Sequence, residues 1–217
     1  MPFLDRDEAG QRLAKALHPY RRQRPIVLAL PRGGVTVAAP VARELGAPLD
    51  LLIVRKIGVP DQPELAMGAV VDGAEPITVR NDDVIRMLGI SEEQFVAVRD
   101  RELAEIERRR GVYMANRPFP QIVGRTVIVV DDGIATGATM KAALQALRMR
   151  KPGQLILAVP VAPRDTLDEL RPLADAVVCI ELEMALGAIG AHYVVFDQVS
   201  DAEVVGALRA VRQEAPT

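Results

Sequence analysis

Residues 127–139 read VIVVDDGIATGAT: four apolar residues, two adjacent aspartates, then a loop of small and hydroxyl-bearing residues that opens a helical pattern. An apolar, β-branched run of this kind suits a strand buried on both faces of a sheet. In an open parallel sheet, ligands bind beyond the carboxyl ends of the strands, and that is where this run would deliver Asp131 and Asp132. The loop from Gly133 to Thr139 has the makings of an anion site. It offers free N–H groups at a helix start, the hydroxyls of Thr136 and Thr139, and Gly137, which has no Cβ to hold an anion away. Two carboxylates beside a phosphate repel it unless they address sugar hydroxyls or a cation, so the stretch points to a sugar phosphate with a divalent metal. A nucleotide P-loop is excluded, because no GxxxxGK[ST] is present and position 138 is Ala; a GxGxxG turn is absent too. A phosphatase-like or receiver-like acidic cluster would leave Thr-Gly-x-Thr unexplained.

Similar apolar runs occur at 26–30 (IVLAL), 50–54 (DLLIV), 126–130 (TVIVV), 155–161 (LILAVPV) and 175–180 (DAVVCI). Helical patterns lie between them: VTVAAPVAREL ending at Gly46, ATMKAALQALRMR ending near Pro152, and TLDELRPL. This alternation predicts an α/β fold, a parallel sheet flanked by helices. Pro40 argues against an unbroken first helix, since it lacks an N–H and clashes one turn back. Residues 57–79 carry three prolines and short β-like pieces, which predict a mobile loop followed by a small hairpin. Ser91 with Gln94, and Ser200 with Glu203, read as capping boxes opening helices over VRDRELAEIERRR and the tail.

A length of 217 residues suits one domain, 1–217, rather than two. With 27 Lys and Arg against 29 Asp and Glu, the charge balance gives no electrostatic case for nucleic acid or an anionic membrane. The start, MPFLDRDEAG, lacks a leader pattern and no window approaches a membrane span, so a soluble, cytoplasmic protein is expected. A single thiol, Cys179, cannot form an internal disulfide, and its apolar surroundings predict an unreactive group. Neither His18 nor His192 has metal-ligand company in the sequence, so no zinc is expected. Arg108, Arg109 and Arg110 read as a solvated helix end.

A second anion loop is expected at 30–35, LPRGGV, where Arg32 beside Gly33 and Gly34 combines a fork of donors with exposed amides. Arg55 and Lys56 read as two cations ending the second buried strand and facing the same edge.

VIVVDDGIATGAT resembles the 5-phosphoribosyl 1-pyrophosphate (PRPP) motif of the type I phosphoribosyltransferases, and the order of the pieces across 24–160 agrees with that family. LPRGGV, VRKIGVPDQPELAMGAV and VVDDGIATGAT together also resemble a bacterial group of such enzymes without a defined acceptor. The resemblance implies a Rossmann-like core over about 24–180, a flexible loop, and a small hood from the N-terminal segment and 181–198. It implies transfer of phosphoribose from PRPP to a nucleobase or similar nitrogen acceptor, as in nucleotide metabolism, with release of pyrophosphate and dependence on Mg²⁺. Carried onto this sequence, Asp131 and Asp132 would hold the ribose hydroxyls and, directly or through water, the metal. Ala135, Thr136, Gly137, Ala138 and Thr139 would hold the 5-phosphate, and Arg32, Gly33 and Gly34 the pyrophosphate, in a loop that in the family often contains a non-proline cis peptide. Arg55 and Lys56 would face the leaving group. Asp131, Asp132 and Arg32 are the residues expected to carry catalysis. Ala135 stands where 6-oxopurine enzymes place an Asp, which counts against hypoxanthine or guanine and leaves adenine and uracil open. The resemblance places acceptor recognition in the hood, where Met184, Ile189, His192, Tyr193 and Phe196 offer possible stacking surface; several of the five are expected to be core, and Tyr193 and Phe196 are the candidates for stacking on an acceptor. A homodimer is implied, and a non-catalytic PRPP-sensing module is the alternative to an enzyme.

Overall fold

A computed structural model of the chain describes residues 2–115, 117–184 and 188–214. Helix α1 (Arg6–Leu17) leads through a 3-10 turn into β1 (Ile26–Ala29), α2 (Gly33–Leu45) and β2 (Leu49–Leu51). An antiparallel sheet follows, β3 (Val54–Val59), β4 (Gln62–Val71) and β5 (Ile77–Arg80), and then α3 (Asp82–Met87) and the long α4 (Glu92–Met114). The chain continues with β6 (Thr126–Val130), α5 (Ala138–Met149), β7 (Gln154–Pro163), α6 (Arg164–Leu170), β8 (Ala176–Glu183) and α7 (Asp201–Glu214). The five apolar runs thus become a parallel sheet in the order β2-β1-β6-β7-β8. Alternate residues of its strands feed two cores. Val27, Ile128, Val130 and Ile156 pack with α1, α2 and α7, while Leu28, Val127, Val129 and Leu157 pack with α5 and α6.

The order fixes where a site can be. From β1 the chain moves outward to β2 on one side, and from β6 it moves outward through β7 to β8 on the other. The crevice between the carboxyl ends of β1 and β6 is therefore the topological switch point of the sheet.

Three expectations change. Helix α2 runs unbroken through Pro40, because Val37, Ala38, Val41 and Leu45 are buried around it and packing outweighs one lost backbone bond. Instead of a mobile loop followed by a small hairpin, most of residues 57–79 lies in the antiparallel sheet, with β3 and β4 paired as one long hairpin and β5 added at the edge. Ile57, Met67 and Val70 are buried against Phe95 of α4, and the prolines at 60 and 63 sit at the hairpin tip, where register shifts already interrupt the ladder. Strand β8 is a half-buried edge rather than a buried strand. Both capping boxes are present: Gln94 N–H donates to Ser91 Oγ (3.2 Å) and Ser91 N–H to Gln94 Oε1 (2.9 Å), with the same reciprocity between Ser200 and Glu203.

The antiparallel sheet is clamped to the rest by Asp72 at the end of β4. Its carboxylate accepts from Arg110 Nη1 of α4 (2.6 Å) and from Gly73 N–H (2.6 Å), while its carbonyl accepts from Arg150 (2.8 Å). Burial holds its pKa above the ordinary carboxylate value against the lowering pull of Arg110. No described helix is long and apolar enough to cross a membrane.

Candidate functional site

The two glycine-bearing loops meet at the switch point. Leu30 N–H donates to Val130 O (2.9 Å), extending the β1–β6 pairing to the last residue before each loop. Beyond it, Gly33 and Gly34 open α2 directly against Asp131 and Asp132. A Cβ on Gly34 would stand 2.9 Å from both Asp131 Cα and Val130 O, and one on Gly33 would overlap the Asp132 carboxylate. At position 34, where the neighbours are backbone atoms, only glycine permits this approach. The Pro31–Arg32 peptide is cis, the feature expected of this loop.

The carboxylates are held differently. Asp131 Oδ1 accepts from the Asp132 amide (2.8 Å), and burial, followed by the charge of Asp132, pushes the Asp131 pKa well above the ordinary carboxylate range. Asp132 Oδ2 accepts from Arg6 Nε at 2.7 Å, with the two side chains only 11% and 14% exposed. Arg6 also donates to Asp197 O (2.8 Å), and its guanidinium lies 3.8 Å from the centre of the Phe196 ring. Arg6 is the site residue that sequence reasoning missed. Asp5 caps α1 by accepting from Glu8 N–H, and Ala9, Leu13, Ala14 and Leu17 are buried. That cap and spacing signal the helix, but nothing in the sequence signals that it aims Arg6 at a strand 126 residues away.

Beside the aspartates, Ala135, Thr136, Ala138 and Thr139 are exposed and Gly137 is the N-cap of α5 at φ 75°, a left-handed conformation that favours glycine. The first turn closes with Lys141 N–H donating to Gly137 O (2.8 Å), leaving the amides before it unpaired by the helix. Thr166 of α6 pins the loop by donating to Ala135 O (3.0 Å). The loop opens on a groove of about 570 Å³. Lys141 and Gln145 line it from α5, and Gly68, Ala69, Val79 and Arg80 line it from β4 and β5, with Asn81 and Asp82 at the start of α3. The inserted antiparallel sheet is thus the wall opposite the anion loop. Two helix N-termini, a hydroxyl-bearing loop and two carboxylates at one crevice can hold a phosphorylated, hydroxylated ligand, and their all-oxygen acidic donors suit a hard cation such as Mg²⁺.

Other expected residues lie elsewhere. The Arg32 side chain is 35% exposed and turned toward α7, with Nη1 3.8 Å from Asp201 Oδ1. Arg55 and Lys56 do not end a parallel strand: β2 stops at Leu51, and both belong to β3, where Arg55 pairs with Glu102 (2.7 Å) and Lys56 with Glu64 (3.2 Å). Tyr193 is not an open stacking surface. It is 6% exposed, its ring packs between Phe3 and Phe196 (centroids 5.4 and 4.9 Å), and its hydroxyl donates to Asp132 O (2.6 Å). Burial, then the nearby Asp132 charge, raises its pKa, so it stays a donor. Phe196 is half-buried and already carries Arg6. Met184, another of the residues offered as stacking surface, is 81% exposed. His192 is not without metal-ligand company, since Glu181 and Glu183 stand beside it. Arg108 and Arg109 both pair with Glu105, and Arg110 with Asp72, so this run is occupied by its own carboxylates.

Residues 6–195 match the phosphoribosyl transferase domain family. Two proteins provisionally named phosphoribosyl transferases, from two strains of Mycobacterium tuberculosis, are each 45% identical over 206 residues, 95% of this chain and 46% of theirs. The chain therefore spans about half the length of the curated relatives it matches. The crystal structure of TT1426 from Thermus thermophilus superposes with a TM-score of 0.82 at 39% identity, covering 96% of this chain and 98% of that one.

Proposed function

This chain belongs to the phosphoribosyl transferase domain family, and we propose that it uses PRPP and Mg²⁺ to transfer the 5-phosphoribosyl group to a nitrogen acceptor with release of pyrophosphate. The observation that carries this reading is the meeting of LPRGG and DDGIATGAT at the switch point, with Gly34 packed on the backbone of Asp131.

In this reading the 5-phosphate lies on the amides of 135–139 and the hydroxyls of Thr136 and Thr139, at the start of α5. Asp131 and Asp132 accept from the ribose 2- and 3-hydroxyls. Asp131 Oδ1 accepts from the Asp132 amide and Asp132 Oδ2 from Arg6, so both carboxylates are held in place at the crevice. When bound, Mg²⁺ supplies charge neutralisation to the departing pyrophosphate. The amides of Gly33 and Gly34 at the start of α2 face the same group, with Arg32 swinging in from its loose contact with Asp201. Displacement at the anomeric carbon passes through a state with oxocarbenium character, and the fixed carboxylates favour positive charge developing beside them. Arg55 and Lys56 are held by Glu102 and Glu64, so a leaving-group role for them requires movement of the β3–β4 hairpin.

Ala135 stands where 6-oxopurine enzymes of the family place an Asp, which counts against hypoxanthine or guanine as the acceptor and leaves adenine, uracil or another small amine or heterocycle open. A reducing cytoplasm suits Cys179, whose thiol burial pushes up to about 11. The test is pyrophosphate release from PRPP with Mg²⁺ across a panel of nucleobases and small amines. Release with one acceptor is expected, reduced by on the order of 10²-fold or more in Asp132→Asn. PRPP binding without release under every acceptor would mark a sensor instead of a transferase.

A further inference from the structure

We propose a second cation site, distinct from the aspartate pair, formed by Glu181, Glu183 and His192 and selective for a transition-metal ion of the Zn²⁺ class. Glu181 and Glu183 are two apart near the end of β8, so both side chains leave the same face of the strand. His192 closes the 3-10 turn Ile189–His192, which returns the chain alongside that strand end. One ligand atom from each of the three lies within 4.8 Å of the others.

Three features separate this cluster from an ordinary solvated acidic patch. First, His192 Nδ1 stands 3.7 Å from Glu183 Oε1, too far for a hydrogen bond. With metal–ligand bonds of about 2.1 Å, that separation corresponds to a ligand–metal–ligand angle of about 120°, close to the tetrahedral geometry Zn²⁺ prefers. Second, the groups are half-buried and preorganised. The Glu181 and His192 side chains are 19% and 18% exposed, and the His192 backbone is fixed because its carbonyl accepts from Phe3 N–H (2.8 Å). Third, Glu181 has an orienting partner in Arg12, whose Nη2 donates to Glu181 Oε1 at 3.0 Å. Ligating carboxylates characteristically carry a bond of this type, and it leaves Oε2 for the ion.

The donor set decides the class of ion. One imidazole nitrogen with two carboxylates favours Zn²⁺ and its neighbours, whereas Mg²⁺ and Ca²⁺ take oxygen ligands. Three protein ligands leave a coordination position open to water or to a nitrogen or oxygen atom of a small molecule. The site also adjoins the candidate centre through the chain itself: the residue after His192 is Tyr193, whose hydroxyl holds Asp132 O. An ion here would tie the turn to β8 and steady that contact.

The test is calorimetric titration of Zn²⁺ into chelator-treated protein without PRPP, repeated with His192→Ala, Glu183→Gln and Asp131→Asn/Asp132→Asn, each checked by circular dichroism. One saturable site is expected in the wild type, weakened about tenfold or more by His192→Ala and by Glu183→Gln. The aspartate double variant should leave it unchanged, and millimolar Mg²⁺ should not displace the Zn²⁺. Glu183→Gln is nearly isosteric and replaces a half-buried side chain at the strand end, so it reports on the site even if His192→Ala folds poorly. Absence of saturable binding tighter than about 10 μM, equal affinity in both ligand variants and the wild type, or loss of the site in the aspartate variant would overturn the proposal.

Discussion

Gly34→Ala is expected to lower both stability and turnover, although it adds a single methyl group. The new carbon would stand 2.9 Å from Asp131 Cα and from Val130 O, both backbone atoms of β6 and its exit, which cannot rotate aside. Relief requires the loop after β1 to move away from the loop after β6. Overpacking of this kind typically costs about 1–3 kcal/mol, and about 2–4 °C in Tm per kcal/mol for a chain of this size. The same movement separates the proposed pyrophosphate and ribose positions, and a misplacement approaching 1 Å is worth about 10²-fold in rate. Gly33→Ala differs in kind. Its methyl meets the side chains of Asp132 and Arg6, which can yield, so it should cost less stability while disturbing their ion pair. Thermal unfolding and pyrophosphate release of the two variants check this. A Gly34→Ala protein with wild-type Tm and wild-type turnover would show that the loops are not packed as described.

Asp131→Asn is expected to make the protein more stable and less active. Burial and the neighbouring Asp132 charge raise the Asp131 pKa in the folded state, so the ionised carboxylate opposes folding. The sign follows from linkage. Near pH 4, around the ordinary carboxylate value of about 3.9, the folded group is protonated and the penalty is small. As the pH rises, the unfolded chain releases this proton before the folded one does, so the wild type loses stability progressively until the folded group ionises as well. Asn keeps the oxygen that accepts from the Asp132 amide and carries no charge. The Tm advantage of the variant should therefore be near zero at pH 4 and largest at pH 8, while PRPP turnover falls by on the order of 10²-fold. A variant less stable than wild type at pH 8, or an advantage independent of pH, would contradict this account of the pair. Strain of this type, stability given up to hold a charge where a ligand needs it, is a common signature of functional sites.

Much of this arrangement is legible in the linear sequence. Five short apolar runs alternating with helical patterns specify a parallel sheet because strands buried on both faces admit few polar residues, and DDGIATGAT names its own place at a strand exit. The cis peptide and the close pairing of LPRGG with DD accord with the resemblance. What was not legible depends on tertiary contact. Arg6 reaches Asp132 only because α1 folds back across the sheet, and no local pattern records a partner so distant. Tyr193 and Phe196 read as an aromatic pair suited to stacking, but a hydroxyl bonded to Asp132 O and a guanidinium over the second ring are visible only in three dimensions. The Pro-rich insertion read as a loop because prolines weigh heavily in local propensity. The burial of Ile57, Met67 and Val70 against α4 overrides that preference.

Calorimetric titration of PRPP with Mg²⁺ into the wild type and into Asp131→Asn/Asp132→Asn tests the central claim most directly. A single saturable PRPP site in the wild type and none in the double variant is the result expected if the switch-point loops form the binding site. No binding to the wild type, or equal binding to both proteins, would contradict it.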